Sequence, residues 1–344
     1  MVNYRGALQD IGKQMIDDTD DPIAILGAGA WGTALALHLA RNGQFIKLWA
    51  YKQEKADQIN LTRHNAHYLP NYLLPPSITC SPNYQETLSE VRDILIAVPS
   101  IAFRATLLLI KPLLKLNQRL LWVTKGLDEG KHQLLHEVVH EIVGDVDSAV
   151  LSGPSFAKEV AIGLPTAVTI AANDWVFANH LLQRFQSKNF RVELTADIIG
   201  VELAGAMKNV LAIAVGIVEG LGLGANAKAA LMTHGLSEMI ELGLSLGAKQ
   251  STFLGLSGLG DFILTCTENQ SRNRRLGLAL GGGQTLEQAK KTLGTIEGTV
   301  TAKHIAYLLA KHKINAPICQ AVYRVLYEQQ APDIVPNAFF RASL

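Results

Sequence analysis

Ile23-Ala24-Ile25-Leu26 runs directly into Gly27-Ala28-Gly29-Ala30-Trp31-Gly32, and that junction decides the fold. Four apolar residues suit a buried strand. The Gly-x-Gly-x-x-Gly spacing then suits a tight turn into the small and apolar run Thr33-Ala34-Leu35-Ala36-Leu37-His38-Leu39-Ala40, a buried helix. In such a turn the first glycine permits the strand-to-helix reversal, the second lets a pyrophosphate approach the backbone, and the third lets helix and strand pack closely. An anion placed there meets unpaired N–H groups at a helix N-terminus. The spacing alone also occurs in glycine-rich turns that bind nothing. The strand before it and the helix after it are what point to a dinucleotide.

Outward from this junction, strand-like runs alternate with helical patterns at Ile46–Trp49, Ile94–Val98, Leu120–Thr124, Ala149–Leu151 and Ala167–Ile170. Near-continuous apolarity, as in Ile94-Leu95-Ile96-Ala97-Val98, fits parallel strands covered by helices on both faces. After about residue 197, strand-like runs become scarce and long helical stretches with glycine punctuation take over, with Gly281-Gly282-Gly283 marking a loop. The expected class is α/β: an N-terminal Rossmann-like doubly wound domain over residues 22–197, then an all-helical C-terminal domain over 198–335. Residues 1–21 read as an N-terminal arm and 336–344 as a C-terminal tail.

The 344 residues are 48% hydrophobic and only 18% charged, enough apolar material for two cores. Thirty-one basic residues balance thirty acidic ones, so no global field draws the chain to nucleic acid or to an anionic membrane surface. Any anion site is therefore local. Cys80, Cys266 and Cys319 are too few and too scattered for a disulfide framework, which favours a reducing compartment, the cytoplasm. The arm carries Asp10, Asp17, Asp18, Asp20 and Asp21 and has no apolar stretch of the secretory kind. Val210–Val218 is about half a membrane span before Glu219 interrupts it, and no transmembrane helix is expected.

Four further places carry candidate chemistry. The second strand ends in Leu48-Trp49-Ala50-Tyr51-Lys52, where dinucleotide folds place an acid on the ribose hydroxyls. Without that acid nothing repels a 2′-phosphate and Lys52 attracts one, so NADP is an expected cofactor beside NAD. The competing reading leaves Lys52 solvated and assigns the ribose to Glu54. In the second half, Glu202–Glu219 repeats apolar residues at helical spacing, and Lys208 is the only charge between its two glutamates. Desolvation of a lone ammonium favours the neutral amine, lowering its pKa from about 10.4, and a neighbouring cation lowers it further. A lysine so tuned acts as a general base near neutral pH; the plainer alternative is a lysine that snorkels to the surface.

Further on, Gly255-Leu256-Ser257-Gly258-Leu259-Gly260-Asp261 is a glycine-rich loop ending in an acid, and Asn269-Gln270-Ser271-Arg272-Asn273-Arg274-Arg275 reads as a compact anion trap. Arginine offers paired donors to phosphate, while Ser and Asn add short neutral ones. A solvated helix face is the alternative, and RNA is disfavoured because the cluster has no aromatic residues for base stacking. Lastly, His136-Glu137-Val138-Val139-His140 matches the H-E-x-x-H zinc pattern, with His132 four residues earlier. Leu134, Leu135, Val138, Val139 and Ile142 nevertheless form the stripe of an ordinary amphipathic helix, with the histidines on its polar side, and no metal is expected.

Together these residues resemble one family, the bacterial NAD(P)-dependent glycerol-3-phosphate dehydrogenases. The resemblance spans roughly residues 22 to 330. It rests on Gly27-Ala28-Gly29-Ala30-Trp31-Gly32-Thr33-Ala34, Val123-Thr124-Lys125-Gly126-Leu127, Leu151-Ser152-Gly153-Pro154-Ser155-Phe156-Ala157 and Glu202-Leu203-Ala204-Gly205-Ala206-Met207-Lys208-Asn209. Gly260-Asp261 and the run from Asn269 to Arg275 complete the set. It implies an oxidoreductase that interconverts sn-glycerol 3-phosphate and dihydroxyacetone phosphate by hydride transfer, supplying glycerol 3-phosphate for phospholipid synthesis. Carried onto matching positions, it makes Lys208 the catalytic proton acceptor.

The same resemblance implies that Lys125, Gly153, Ser155, Lys208, Asp261, Ser271, Arg272 and Asn273 bind the substrate. It places Gly27, Gly29, Ala30, Trp31 and Gly32 against the cofactor, with Tyr51, Lys125, Ala157, Arg272 and Glu297. Lys125 also supplies the neighbouring cation that the argument for Lys208 asks for. Thr233-His234-Gly235 departs from the family, where related sequences generally read Thr-Arg-Gly, and the arm before Pro22 lies outside the resemblance. On the residues alone three other classes stay open: a dehydrogenase of another phosphorylated or carboxylated hydroxy compound, a catalytically silent dinucleotide sensor, and a zinc peptidase built on His136 and His140. The expected partners are NAD or NADP and a small phosphorylated substrate, with no nucleic acid and no membrane insertion. A homodimer through the helical domain is the assembly considered.

Overall fold

The computed structural model describes residues 21–340, so the arm, apart from Asp21, and residues 341–344 lie outside the described residues. Ten strands follow in chain order: β1 (Ile23–Leu26), β2 (Ile46–Trp49), β3 (His64–Asn65), β4 (Leu69–Leu73), β5 (Ile78–Ser81), β6 (Asp93–Ile96), β7 (Arg119–Trp122), β8 (Ser148–Ser152), β9 (Thr166–Ala172) and β10 (Phe190–Thr195). Eight of them form one sheet in the order β10-β9-β8-β7-β6-β1-β2-β5, while β3 and β4 make a small antiparallel pair. The order reverses at β1, the strand that leads into the glycine turn, which is the switch point of a doubly wound sheet.

From β5 across to β8 the neighbouring strands pair in parallel, as expected. β9 and β10 pair in parallel with each other, but Asn173, just past the end of β9, donates its N–H to Ser148 O at the start of β8. Those last two strands therefore run against the rest. Apolar runs carry no information on strand direction when both faces are covered, so this feature was invisible in the sequence. Two sheet strands escaped the search for apolar runs, β5 and β10, and both lie at the edges of the sheet. In β10 the residues Phe190, Arg191, Val192 and Glu193 alternate buried and exposed, the mark of a strand with one wet face.

The glycine turn owes its shape to contact as much as to torsion. Gly27 sits at φ +128°, and a Cβ there would stand 2.7 Å from Ala97 O; one on Gly32 would stand 2.0 Å from Gly27 O. Any side chain at either position forces strand and helix apart. Helix Ala30–Arg41 then runs with Gly32 through Leu39 buried. Near its end, His38 donates from Nε2 to Phe185 O at 2.7 Å and stacks on Phe190.

Burial lowers the pKa of His38 from 6.5 to about 4, outweighing the bond to Phe185 O, and the Arg41 charge lowers it further. Between those two values the unfolded chain binds a proton that the folded chain refuses, so stability falls as pH drops from 6.5 towards 4. The shift corresponds to about 3 kcal/mol in full, about 2 of which is lost by pH 5. Denaturant titrations at pH 7 and pH 5 will show a stability loss larger by about 2 kcal/mol in the native chain than in His38→Gln, which keeps a donor for Phe185 O but does not titrate. Equal losses in both chains refute the assignment.

The polypeptide divides into two compact units. Among the described residues, the first holds residues 21–124 with Val139–Leu151 and Ser155–Ala196; the second holds Lys125–Val138, Ser152–Pro154 and residues 197–340. The second unit is built round helix Ile198–Gly220, which starts four residues earlier than the Glu202 read from periodicity because Asp197 caps it, accepting the Gly200 N–H. Every residue from Gly200 to Val218 is buried. Although this helix is long and apolar enough to cross a membrane, 94% of its most apolar window is buried inside the protein, the environment of a core helix.

Helix Arg272–Gly281 lies against the core helix in backbone contact: a Cβ on Gly216 would stand 2.2 Å from Arg274 O, and one on Gly277 would stand 2.0 Å from Ile213 O. This contact sets the register between the helix that carries Lys208 and the helix that begins at Arg272. The stretch expected as a C-terminal tail begins instead inside helix Ile334–Phe340. Val335 is fully buried there, and the Phe339 ring packs at a tilt against His234.

Candidate active site

In the first unit the cradle presents its backbone. Gly29 is the N-cap of helix Ala30–Arg41 and offers no side-chain cap. Among the described residues, the N–H groups of Gly29, Ala30, Trp31 and Gly32 find no acceptor, and the first bond into the turn is Thr33 N–H to Gly29 O. A Cβ built on Gly29 meets nothing within 4 Å, in contrast to those on Gly27 and Gly32. The space in front of Gly29 is therefore open, and four convergent donors at the positive end of a helix fit a pyrophosphate. Trp31 stands half-buried in the first helical turn, while Tyr51 is 80% exposed beyond β2, with Lys52 and Glu54 exposed beside it. Ser155 and Ala157, both half-buried, also belong to this unit.

In the second unit three charges converge. Lys125 Nζ donates to Asp261 Oδ2 at 2.6 Å, and Lys208 Nζ donates to Asp261 Oδ1 and to Thr265 Oγ1, the latter at 2.9 Å. Asp261 and Lys208 are buried, and Lys125 is the more exposed of the two lysines. Gly205, one turn before Lys208, makes room: a Cβ there would stand 3.2 Å from Ser152 Oγ and 3.7 Å from Lys125 Cγ. Burial alone would raise the Asp261 carboxyl, but the charges of Lys125 and Lys208 outweigh it and hold its pKa below the ordinary value. For Lys208 burial dominates and the Lys125 ammonium adds to it, against the opposing pull of Asp261, so its pKa is pushed down to about 7. The pairing expected between Lys208 and a neighbouring cation is present.

The anion trap resolves into separate jobs. Ser271 caps helix Arg272–Gly281, accepting the Arg274 N–H. Arg272 is exposed at the first helical position, and its guanidinium has no partner among the described residues. Arg274 is buried and tied to Glu219 and Asn269, so this member of the expected trap is structural. Asn273 bridges two elements: its Nδ2 donates to Asn209 Oδ1 and its Oδ1 accepts the N–H of Gly298, directly after the half-buried Glu297. Gly153, at φ +151°, is buried, and the Pro154 ring beside it packs 3.5 Å from where a Cβ on Gly260 would stand.

The zinc pattern dissolves into ordinary contacts. His136 Nδ1 bonds Glu202 Oε2 at 2.6 Å, and the other carboxylate oxygen of Glu202 accepts the His136 N–H. Burial lowers the His136 pKa, but Glu202 outweighs it and raises the value above that of an ordinary histidine. Glu137 caps its own helix at the Leu134 N–H, His140 faces Asp145 at the surface, and His132 bonds His304. An open cleft of about 430 Å³ in the first unit lies at the starts of β6, β7 and β8. Its deepest charge, Arg119, is already committed to Asp93 and His180, so the cleft offers no reacting group.

Three side chains of the second unit escaped the sequence reading. Thr265 holds Lys208 and donates back to Asp261 O, and its spacing of four from Asp261 on one helix was the available signal. Asn209 Nδ2 and Ser152 Oγ are both buried with no partner among the described residues, two polar atoms that a ligand can satisfy. Neither stands out by composition; only their missing partners reveal them.

Comparison with known proteins agrees with this geometry. The family profile described as the NAD-dependent glycerol-3-phosphate dehydrogenase N-terminus matches residues 22–178, and its C-terminal counterpart matches 197–337. A relative from Coxiella burnetii, named glycerol-3-phosphate dehydrogenase [NAD(P)+], is 50% identical over 312 residues, covering 90% of this chain and 94% of its own. One of the same name from Haemophilus ducreyi is 48% identical, covering 95% and 98%. A crystal structure of the Coxiella burnetii enzyme superposes with a TM-score of 0.90 at 48% identity, covering 93% of this chain and 98% of that one. With an open dinucleotide cradle in one unit, a lysine tuned to neutral pH in the other, and both halves of one profile matched in order, the chain belongs to the NAD-dependent glycerol-3-phosphate dehydrogenase family.

Proposed function

We propose that this chain interconverts sn-glycerol 3-phosphate and dihydroxyacetone phosphate with NAD or NADP, providing glycerol 3-phosphate for phospholipid synthesis in the cytoplasm. The observation that carries the reading is the Lys125–Asp261–Lys208 cluster with its Lys208 pKa of about 7. The bound nicotinamide supplies or accepts the hydride. Everything else falls to the protein. Neutral Lys208 takes the proton of the C2 hydroxyl in the oxidation, and the Lys208 ammonium returns it in the reduction. Asp261 and Thr265 hold the amine in one position, since both bond its Nζ.

Lys125 keeps that amine easy to deprotonate and offers its remaining donors to substrate oxygen. Arg272, exposed at a helix N-terminus, grips the phosphate, so that binding energy remote from C2 sets the distance for transfer. Ser271, Asn273, Gly153 and Ser155 line the substrate, and Trp31, Ala157 and Glu297 the cofactor. Lys52, with no acid at the end of β2, lets the 2′-phosphate of NADP enter. The buried, unpaired Cys80, Cys266 and Cys319 support a reducing compartment.

A proton carrier with a pKa of about 7 gives the two directions opposite pH profiles. Oxidation, which needs the neutral amine, speeds up as pH rises through about 7; reduction, which needs the ammonium, slows over the same interval. Measuring kcat/KM in both directions from pH 6 to 8.5 by absorbance of the reduced cofactor tests this, and flat profiles in both directions would exclude Lys208 as the carrier.

A further inference from the structure

The cradle's open backbone is held from behind by two side chains outside the glycine spacing. Lys55, on helix Gln53–Thr62, donates from Nζ to Ala28 O at 2.7 Å. Asn65, only 1% exposed, donates from Nδ2 to the same carbonyl at 3.0 Å and to Thr33 Oγ1 at 2.8 Å. The Lys55 ammonium also stands 4.1 Å from the centroid of the Tyr68 ring, so a cation–π contact fixes its place over the loop.

The Ala28–Gly29 peptide is trans, like every peptide bond described, and in a trans peptide the C=O and N–H point in opposite directions. Gripping the carbonyl of Ala28 therefore turns the Gly29 N–H away from Lys55 and Asn65. That N–H has no acceptor among the described residues. Two donors on the carbonyl oxygen also polarise the peptide unit and make its N–H a stronger donor. A glycine left untethered samples many orientations, and an anion binding there would have to suppress them.

We propose that Lys55 and Asn65 are positioning residues of the cofactor cradle, aiming the Gly29 N–H at the pyrophosphate by gripping the carbonyl of the peptide it belongs to. This rests on reading the chain as an NAD(P)-dependent dehydrogenase. It makes Lys55, through the peptide rather than by contact, a determinant of affinity for the diphosphate part of the cofactor.

The test is NADH binding, followed by fluorescence titration, in the native protein, Lys55→Met and Lys55→Arg. Met keeps the alkyl stem over Tyr68 and removes the donor; Arg keeps a charged donor. The expected result is a Kd for NADH raised about tenfold in Lys55→Met and within about threefold of native in Lys55→Arg. Adenosine, which lacks the diphosphate, displaces NADH from native and Lys55→Met with dissociation constants of its own that agree within about twofold, and kcat at saturating NADH changes by less than about twofold. Native binding of NADH together with an unchanged Kd in Lys55→Met, or an equal weakening of NADH and adenosine, overturns the tether and leaves the enzymatic reading intact. Failure of the native protein to bind NADH or NADPH removes that reading, and the tether with it.

Discussion

Replacing Lys208 with methionine lowers kcat by about a thousandfold in both directions while the Kd for NADH stays within about threefold of native. Methionine is the informative substitution because the site is buried: it keeps the length of the stem and avoids the cavity that alanine would leave. The size of the loss follows from what the amine does. It is the group whose pKa lies near the working pH, and general acid–base catalysis contributes about 10² to 10⁴. Losing it also leaves Asp261 facing Lys125 alone, which keeps the carboxylate paired at 2.6 Å and so spares the fold the cost of a buried lone charge. Stopped-flow absorbance with saturating NADH and dihydroxyacetone phosphate reads the loss. A fall below about tenfold would assign the proton to another group.

The second large effect belongs to Arg272. Arg272→Ala raises the KM for dihydroxyacetone phosphate about a hundredfold, which corresponds to about 2.7 kcal/mol and lies within the range of a charge-assisted pair to phosphate. The expectation comes from its surroundings: the guanidinium is exposed, lacks a partner among the described residues, and stands at the first position of a helix capped by Ser271, where an anion is favoured. Because no described residue depends on that guanidinium, thermal stability should be nearly unchanged. Dihydroxyacetone without the phosphate provides the control, since its poor turnover should be the same in native and Arg272→Ala. Equal losses on both substrates would show that Arg272 does not read the phosphate.

How far the chain could be read in advance depended on the distance over which each feature is determined. The glycine turn was legible because its pattern is local: Gly27 and Gly32 answer to contacts within the strand-turn-helix unit and with Ala97 just past β6, and Gly29 faces open space. Lys208 was legible as a chemical oddity, one charge in an apolar helix. The H-E-x-x-H pattern could not show the partners of its histidines, since its spacing is local but the partners are not; Glu202, 66 residues away, claims His136. Arg274 looked like its neighbours in the anion trap, yet Glu219, 55 residues back, takes it out of the site.

The sequence by itself determined a strand turning into a helix around an open anion cradle, and a long apolar helix with a single amine, because both follow from side-chain size and the periodicity of adjacent residues. Tertiary structure alone decided that the amine is tuned: Lys208 meets Asp261 across 53 residues, and Asp261 meets Lys125 across 136. A pKa is the sum of desolvation and of charges at a few ångströms, and only folding sets those distances. The same holds for the orientation of the cradle, where the hold of Lys55 and Asn65 on one carbonyl exists only once their helix and strand have packed beside the glycine turn.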